Sequence, residues 1–161
     1  KINLSPLELL KTGYSQELFK IINELELPYS WFQFEVTETV ATEYSEELYK
    51  TISDFREVGI EICLDDFGSG YANLNTILKL PFSTVKLDHS MLDGICEDQQ
   101  IALLYKNMVS ILQNLGYKVV AEGVETQKEV ALLEEWGVDL IQGYYYTRPL
   151  SRDDLLSFKL S

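Results

Sequence analysis

The chain has 161 residues, the size of one domain; 46% are hydrophobic and 12% aromatic, which supports a sizeable core and excludes wholesale disorder. Thirteen Lys and Arg against 26 Asp and Glu give a net charge of −13, which disfavours long nucleic acids and anionic membrane surfaces but allows a small phosphate ligand where cations mediate the contact. No apolar run approaches the ~20 residues of a membrane span, and the single histidine, His89, excludes a multi-histidine zinc site.

Residues 2–4 read as a strand end. Ser5-Pro6-Leu7-Glu8 reads as a capping box with proline at the first helical position. A helical pattern resumes after Gly13, with Leu18, Ile21, Ile22 and Leu25 on one face, and stops at Pro28. Aromatic and β-branched content predicts a strand over 31–36. Ser45 caps a helix running to about residue 58, and Gly59 closes it. Residues 60–64 form the next strand, followed by a glycine-rich loop over 65–70. A strand over 84–87 precedes a helix over 99–115, closed by Gly116. Residues 118–121 are a strand, and Thr126-Gln127-Lys128-Glu129 is a second capping box, opening a helix that ends before Gly137. Residues 140–145 are the last strand, and Ser151 caps a short final helix. Cys63 and Cys96 lack CxxC spacing and read as reduced thiols of a cytoplasmic protein. The start at Lys1 rather than methionine reads as a piece of something longer, which other domains could anchor to a membrane.

Strict strand–helix alternation predicts parallel strands with helical crossovers, an α/β fold. Strand starts recur about every 28 residues, close to the ~31 per unit of an eight-fold barrel of ~250 residues. The expected fold is therefore a (β/α)8 TIM-type barrel, incomplete here, with about six βα units present and the first two missing before Lys1. The alternative, an open doubly wound sheet, lacks a GxGxxG fingerprint after its first strand.

Alternation along the strands puts a polar residue opposite the apolar, helix-facing side in every unit: Asn3, Glu35, Asp65, Lys86, Glu122 and Gln142. In a barrel that side is the interior mouth, where active sites of this architecture lie. Glu35, Asp65, Asp66 and Glu122 would repel one another there, and cations would relieve the repulsion. Carboxylate and amide oxygens suit Mg²⁺ or Mn²⁺, in outline a divalent-cation phosphoryl-transfer chemistry with room for two ions. In Asp65-Asp66-Phe67-Gly68-Ser69-Gly70-Tyr71, Asp65 continues the inward row and Asp66 opens the loop. Asp-Phe-Gly also occurs in protein kinases, but no HRD catalytic loop or glycine-rich nucleotide loop accompanies it here.

Six stretches now resemble one family: Asn3-Leu4-Ser5, Phe34-Glu35-Val36-Thr37-Glu38-Thr39, the Asp65–Tyr71 run, Lys86-Leu87-Asp88, Ala121-Glu122-Gly123-Val124-Glu125-Thr126 and Gln142-Gly143-Tyr144. In this order, each at a strand end, they resemble the EAL-domain cyclic-di-GMP phosphodiesterases of bacterial signalling. Residues 1–161 would be the C-terminal two-thirds of such a domain, without the Glu-Ala-Leu segment, its glutamate ligand and the neighbouring phosphate-binding arginine.

The resemblance implies that Asn3, Glu35, Asp65 and Asp66 hold a pair of Mg²⁺ or Mn²⁺ ions. It places Lys86 at the attacking water or the phosphate, makes Glu122 a general base or metal ligand, and gives Gln142 a supporting place in the water shell. Glu38 would anchor the loop bearing Gly68, Ser69 and Gly70, which in the family links the site to a dimer interface. Asp88 and Glu125 match too, with a supporting or helix-start role equally open. Ser69 stands for a commoner threonine, Ala72-Asn73 for a Ser-Ser pair and His89 for a usual arginine. The implied reaction is metal-dependent hydrolysis of cyclic-di-GMP to linear pGpG by a homodimer, with the isolated fragment weak or inactive. A non-catalytic cyclic-di-GMP receptor or interaction module is the alternative.

Overall fold

The computed structural model describes residues 1–42, 45–70 and 74–158. Six parallel strands form one sheet: β1 (Ile2–Asn3), β2 (Gln33–Thr37), β3 (Glu61–Phe67), β4 (Thr84–Leu87), β5 (Lys118–Ala121) and β6 (Leu140–Ile141). They pair in chain order, with β2 to β5 each lying between predecessor and successor. A doubly wound sheet reverses direction at a switch point, and this one never does. Right-handed crossovers that always step the same way stack their helices on one face, which makes the sheet a sector of a (β/α)8-type barrel.

The outward face carries the core. Phe34, Val36, Ile62, Leu64, Val85, Leu87, Val119 and Ala121 are all buried. They meet α2 (Tyr14–Glu24), α4 (Glu46–Glu57), α6 (Gln99–Asn114) and α7 (Gln127–Glu135), which contribute Ile22, Ile52, Phe55, Val109, Leu112 and Leu133. Phe34 and Phe55 stack edge-on with centroids 5.0 Å apart, a geometry that suits the quadrupoles of two buried rings.

Two expected caps are present. The Ser45 hydroxyl accepts the Leu48 amide at 3.1 Å. Thr126 and Glu129 form a reciprocal capping box at the start of α7. The remaining short helices are α1 (Pro6–Leu9), α3 (Glu38–Thr42), α5 (Leu74–Lys79) and α8 (Arg152–Ser157), the last capped by Ser151.

α1 is a single turn with Pro6 at its first position, as expected, and its start is marked by backbone bonds from Glu8 and Leu9 to the Ser5 carbonyl at 3.1 Å. Three expectations are corrected. On α2 only Ile22 of the predicted stripe is buried, while Ile21 and Leu25 are exposed. β6 ends at Ile141 rather than 145, because Gly143 turns the chain back onto Val124. β3 runs through Phe67, so Asp65 and Asp66 belong to the strand and not to a loop. Tyr71, part of the sequence resemblance, and Ala72 and Asn73, which depart from it, lie outside the described residues. Among the described residues no helix is long and apolar enough to cross a membrane.

Candidate active site

A bulge in β3 builds the centre of the site. Leu64 pairs with Val85 and Phe67 with Leu87, so two residues of β3, Asp65 and Asp66, stand opposite one of β4, Lys86. A bulge of this kind breaks the strict alternation of faces and re-aims a side chain. Asp66 absorbs the extra residue with φ 56°, in the left-handed region that aspartate tolerates better than most residues. Its amide donates to Asp65 Oδ1 at 3.2 Å. Adjacent acids that alternation would send to opposite faces thus come together.

Lys86 is 4% exposed and lies at the hub. Its Nζ is 2.6 Å from Asp65 Oδ1, 2.7 Å from Glu122 Oε1 and 3.2 Å from Glu35 Oε1. Gln142 donates to the same Glu122 oxygen at 3.1 Å. Lys1 approaches Glu35 Oε1 at 3.2 Å, and Asn3 stands in register with Glu35 on the neighbouring strand. Oxygens of Asp65, Asp66 and Glu122 lie within 4.8 Å of one another.

One buried ammonium thus serves three carboxylates, and a fourth, Asp66, stands beside them. Burial works against the charge on Lys86, but hydrogen bonds to Asp65 and Glu122 outweigh it and hold its pKa above the ordinary lysine value. The carboxylates are under-neutralised in return. Burial pushes Glu122 up, with Lys86 opposing the rise. Burial also pushes Asp66 up, helped by the negative charges of Asp65, Asp88 and Glu38. Glu35 Oε1 is buried and makes no hydrogen bond among the described residues, having only the two ammonium groups nearby. This all-oxygen, electron-rich donor set fits a hard divalent cation.

The other predicted residues support this centre in different ways. Glu38, 2% exposed, accepts the Gly68 amide at 2.8 Å and so holds the turn after the bulge. Gly68 and Gly70 both carry positive φ, and the Ser69 amide bonds back to the Asp66 carbonyl at 3.2 Å. Asp88 accepts the Ser90 amide at 3.0 Å and caps a 3-10 turn over His89–Leu92. Burial alone would raise its pKa, and the hydrogen bonds from Ser90 lower it overall. Glu125 lies on the rim, its amide donating to Glu129 at 2.8 Å.

A groove of about 740 Å³ opens over the acids, within the usual range for a small-molecule site. Asp66, Glu122, Glu125 and Gln142 line it. So do Tyr144, Arg148, Pro149, Leu150 and Leu155, which the sequence did not assign to the site. Only Tyr144 carried a signal, as part of the Gln-Gly-Tyr stretch. The Arg148 guanidinium lies over the Tyr144 ring, 4.5 Å from its centroid.

Comparison with known proteins shows the family. The EAL domain family matches residues 1–149. The cyclic di-GMP phosphodiesterase RocR of Pseudomonas aeruginosa is 29% identical over 156 residues, covering 97% of this chain and 40% of that protein. The PaMucR phosphodiesterase, solved as a c-di-GMP complex, superposes with a TM-score of 0.85 at 29% identity, over 95% of this chain and 62% of that one. BlrP1 of Klebsiella pneumoniae, solved with manganese and cy-diGMP, gives 0.82 at 29% identity, over 91% of this chain and 38% of that one. The chain spans less than two thirds of the length of each of these relatives. By the match over residues 1–149, the chain belongs to the EAL domain family.

Proposed function

We propose that the domain carrying this chain hydrolyses cyclic-di-GMP to linear pGpG with Mg²⁺ or Mn²⁺, as two ions. The observation that carries this reading is the convergence of Asp65, Asp66 and Glu122 within 4.8 Å, with Asp66 and Glu122 lining the groove. Family membership and the relatives solved with cyclic-di-GMP, calcium and manganese support it. Asp65, Asp66 and Glu35 hold the cations, with Asn3 beside Glu35. When bound, such cations supply an acidified water and charge stabilisation at phosphorus.

The chain's own residues do the rest. Lys86 orients the water or a phosphate oxygen by its charge, and its three carboxylate contacts fix the ammonium in place. Glu122, raised by burial, takes the proton of the water. Gln142 holds Glu122 in line at 3.1 Å. β1 and β6 each pair on one side only among the described residues. Two further βα units would close the barrel and bring the Glu-Ala-Leu carboxylate and its arginine, so residues 1–161 alone are a weak or inactive enzyme. The working form is a cytoplasmic homodimer, with the turn at Gly68 and Gly70 coupling its interface to the acids.

The test is chromatographic detection of pGpG from cyclic-di-GMP with Mg²⁺ or Mn²⁺, alongside calorimetric titration of Mn²⁺. Asp65→Asn should lose both turnover and Mn²⁺ affinity while keeping its circular dichroism. Undiminished hydrolysis in that variant would overturn the assignment.

A further inference from the structure

The turn after the bulge is gripped at Gly68 by two side chains. Glu38 accepts its amide at 2.8 Å. Met91, on the 3-10 turn after β4, leaves no room for a side chain there: a Cβ on Gly68 would collide with the Met91 Sδ and lie 2.9 Å from its Cγ. The three atoms nearest to such a Cβ all belong to Met91. Gly68 is two residues from Asp66, and the Ser69 amide closes the turn onto the Asp66 carbonyl at 3.2 Å. A displacement of Gly68 is therefore passed to Asp66, whose backbone is already in the left-handed region.

The two segments cannot slide apart to relieve this contact. The Asp88 amide donates to the Phe67 carbonyl at 3.0 Å, and Leu87 pairs with Phe67, so they are tied together one residue before Gly68. The Met91 amide donates to the Asp88 carbonyl at 3.0 Å, which fixes the Met91 backbone to that tie. Leu92 and Ile95, both buried, anchor the residues that follow. Met91 itself is half-buried and packs against the core. A thioether suits such a gap, being apolar and adaptable. Its sulfoxide does not, because it adds an oxygen to a sulfur already against the turn and makes an apolar group polar.

We propose that Met91 is a positioning residue for the turn over Asp66–Ser69, and that oxidation of its sulfur by a peroxide reversibly loosens the acids' hold on a cation. This rests on the metal-dependent reading above and adds a redox control to it. In the step, the sulfur lone pair attacks one peroxide oxygen and the O–O bond breaks. That oxygen stays on sulfur, the other leaves as water, and sulfur gives up two electrons. The return needs a methionine sulfoxide reductase and a dithiol: the oxygen leaves as water and the dithiol ends as a disulfide. Among the other sulfurs, Cys63 is buried, while Cys96 and Met108 are half-buried and serve as internal controls.

The experiment treats the complete protein with hydrogen peroxide, then with dithiothreitol to reverse thiol oxidation. Peptide mass spectrometry locates the sulfoxide, calorimetry reads Mn²⁺ affinity, and hydrogen exchange reads the Gly68 and Ser69 amides. Met91 should be oxidised, and the Kd for Mn²⁺ should rise roughly tenfold, the scale of losing a group that supports a metal site. Exchange at Gly68 and Ser69 should quicken while the amides of α6 and α7 stay unchanged, and the reductase should restore both readings. Met91→Leu, close in volume but without an oxidisable sulfur, should show no peroxide effect on either. A Met91 that resists peroxide, an unchanged Kd in the oxidised protein, or an equal peroxide loss in Met91→Leu would overturn the proposal. So would faster exchange spread evenly over the chain, which would mark a general loss of stability. Failure of the untreated wild type to bind Mn²⁺ would sink the metal reading instead. Exchange at Gly68 would then decide on Met91 alone, and an unchanged rate after oxidation would overturn its role.

Discussion

The Glu38 carboxylate reaches across from the end of β2 to accept the amide of Gly68, at 2.8 Å, just past the bulge that carries Asp65 and Asp66. A hydrogen bond to a charged acceptor stabilises by about 1.5–3 kcal/mol, and this one is part-buried. Glu38→Ala should therefore lower stability by that amount in chemical denaturation, with Glu38→Gln recovering most of it. Calorimetry should show weaker Mn²⁺ binding in Glu38→Ala, because the turn no longer fixes the acids. Equal Mn²⁺ affinity and equal turnover would remove the coupling between this turn and the site.

Asp66 separates backbone strain from charge. In the left-handed region an alanine costs roughly 1–2 kcal/mol that glycine does not. Asp66→Gly should thus be more stable than Asp66→Ala by about 1 kcal/mol, and both should bind Mn²⁺ more weakly than the wild type. Urea denaturation checks the first statement and titration the second. Equal stability of the two variants would mean that the bulge relaxes once the carboxylate is gone.

Lys86 is the only described cation inside the acid cluster apart from the partly exposed Lys1. Lys86→Met leaves three carboxylates facing one another, and breaking a buried pair costs about 3–5 kcal/mol. The metal-free variant should melt well below the wild type. Mn²⁺ should raise its melting temperature by more than it raises the wild type's, since an ion bound to the native state stabilises it by mass action. Turnover should stay low even at saturating Mn²⁺. An identical Mn²⁺-induced shift in both proteins would separate the lysine from the ion site.

Gly143 has no room for a side chain. A Cβ there would lie 2.0–2.6 Å from the oxygen, nitrogen and carbonyl carbon of Val124, all backbone atoms that cannot swing aside. Gly143→Ala should cost about 1–3 kcal/mol or more. It should also loosen the Val124 amide from the Gln142 carbonyl, a bond of 3.2 Å. Faster hydrogen exchange at Val124 and Tyr145 would register the change, and an unperturbed melting temperature would contradict it.

Parts of the molecule with a local cause were legible in the sequence. Ser45 and Thr126 announced their helices because a cap is a contact between near neighbours. The inward row from Asn3 to Gln142 followed from alternation, which needs only the strands' existence. The bulge did not follow, because it is a mismatch between two strands and neither strand's sequence states it alone. For the same reason Asp66 read as the start of a loop. The exposed face at Ile21 and Leu25 was misread because helical periodicity gives a stripe without saying which neighbour covers it. Arg148 carried no signal, since the other residues lining the groove, Asp66 and Glu122 among them, come from segments distant in sequence.

The chain-ordered pairing of the strands has a kinetic side. Every ladder joins segments about one βα unit apart, so closing each pairing costs a loop of similar, moderate length. No strand waits for a distant partner. Folding can begin at any adjacent pair, with β3 and β4 well placed because their facing residues Leu64 and Val85 are fully buried. Growth then proceeds outward one unit at a time, as in a zipper with two free ends, and contact order stays low for a parallel sheet. Substitutions near Leu64 and Val85 would slow folding, whereas those at β1 or β6 would chiefly speed unfolding.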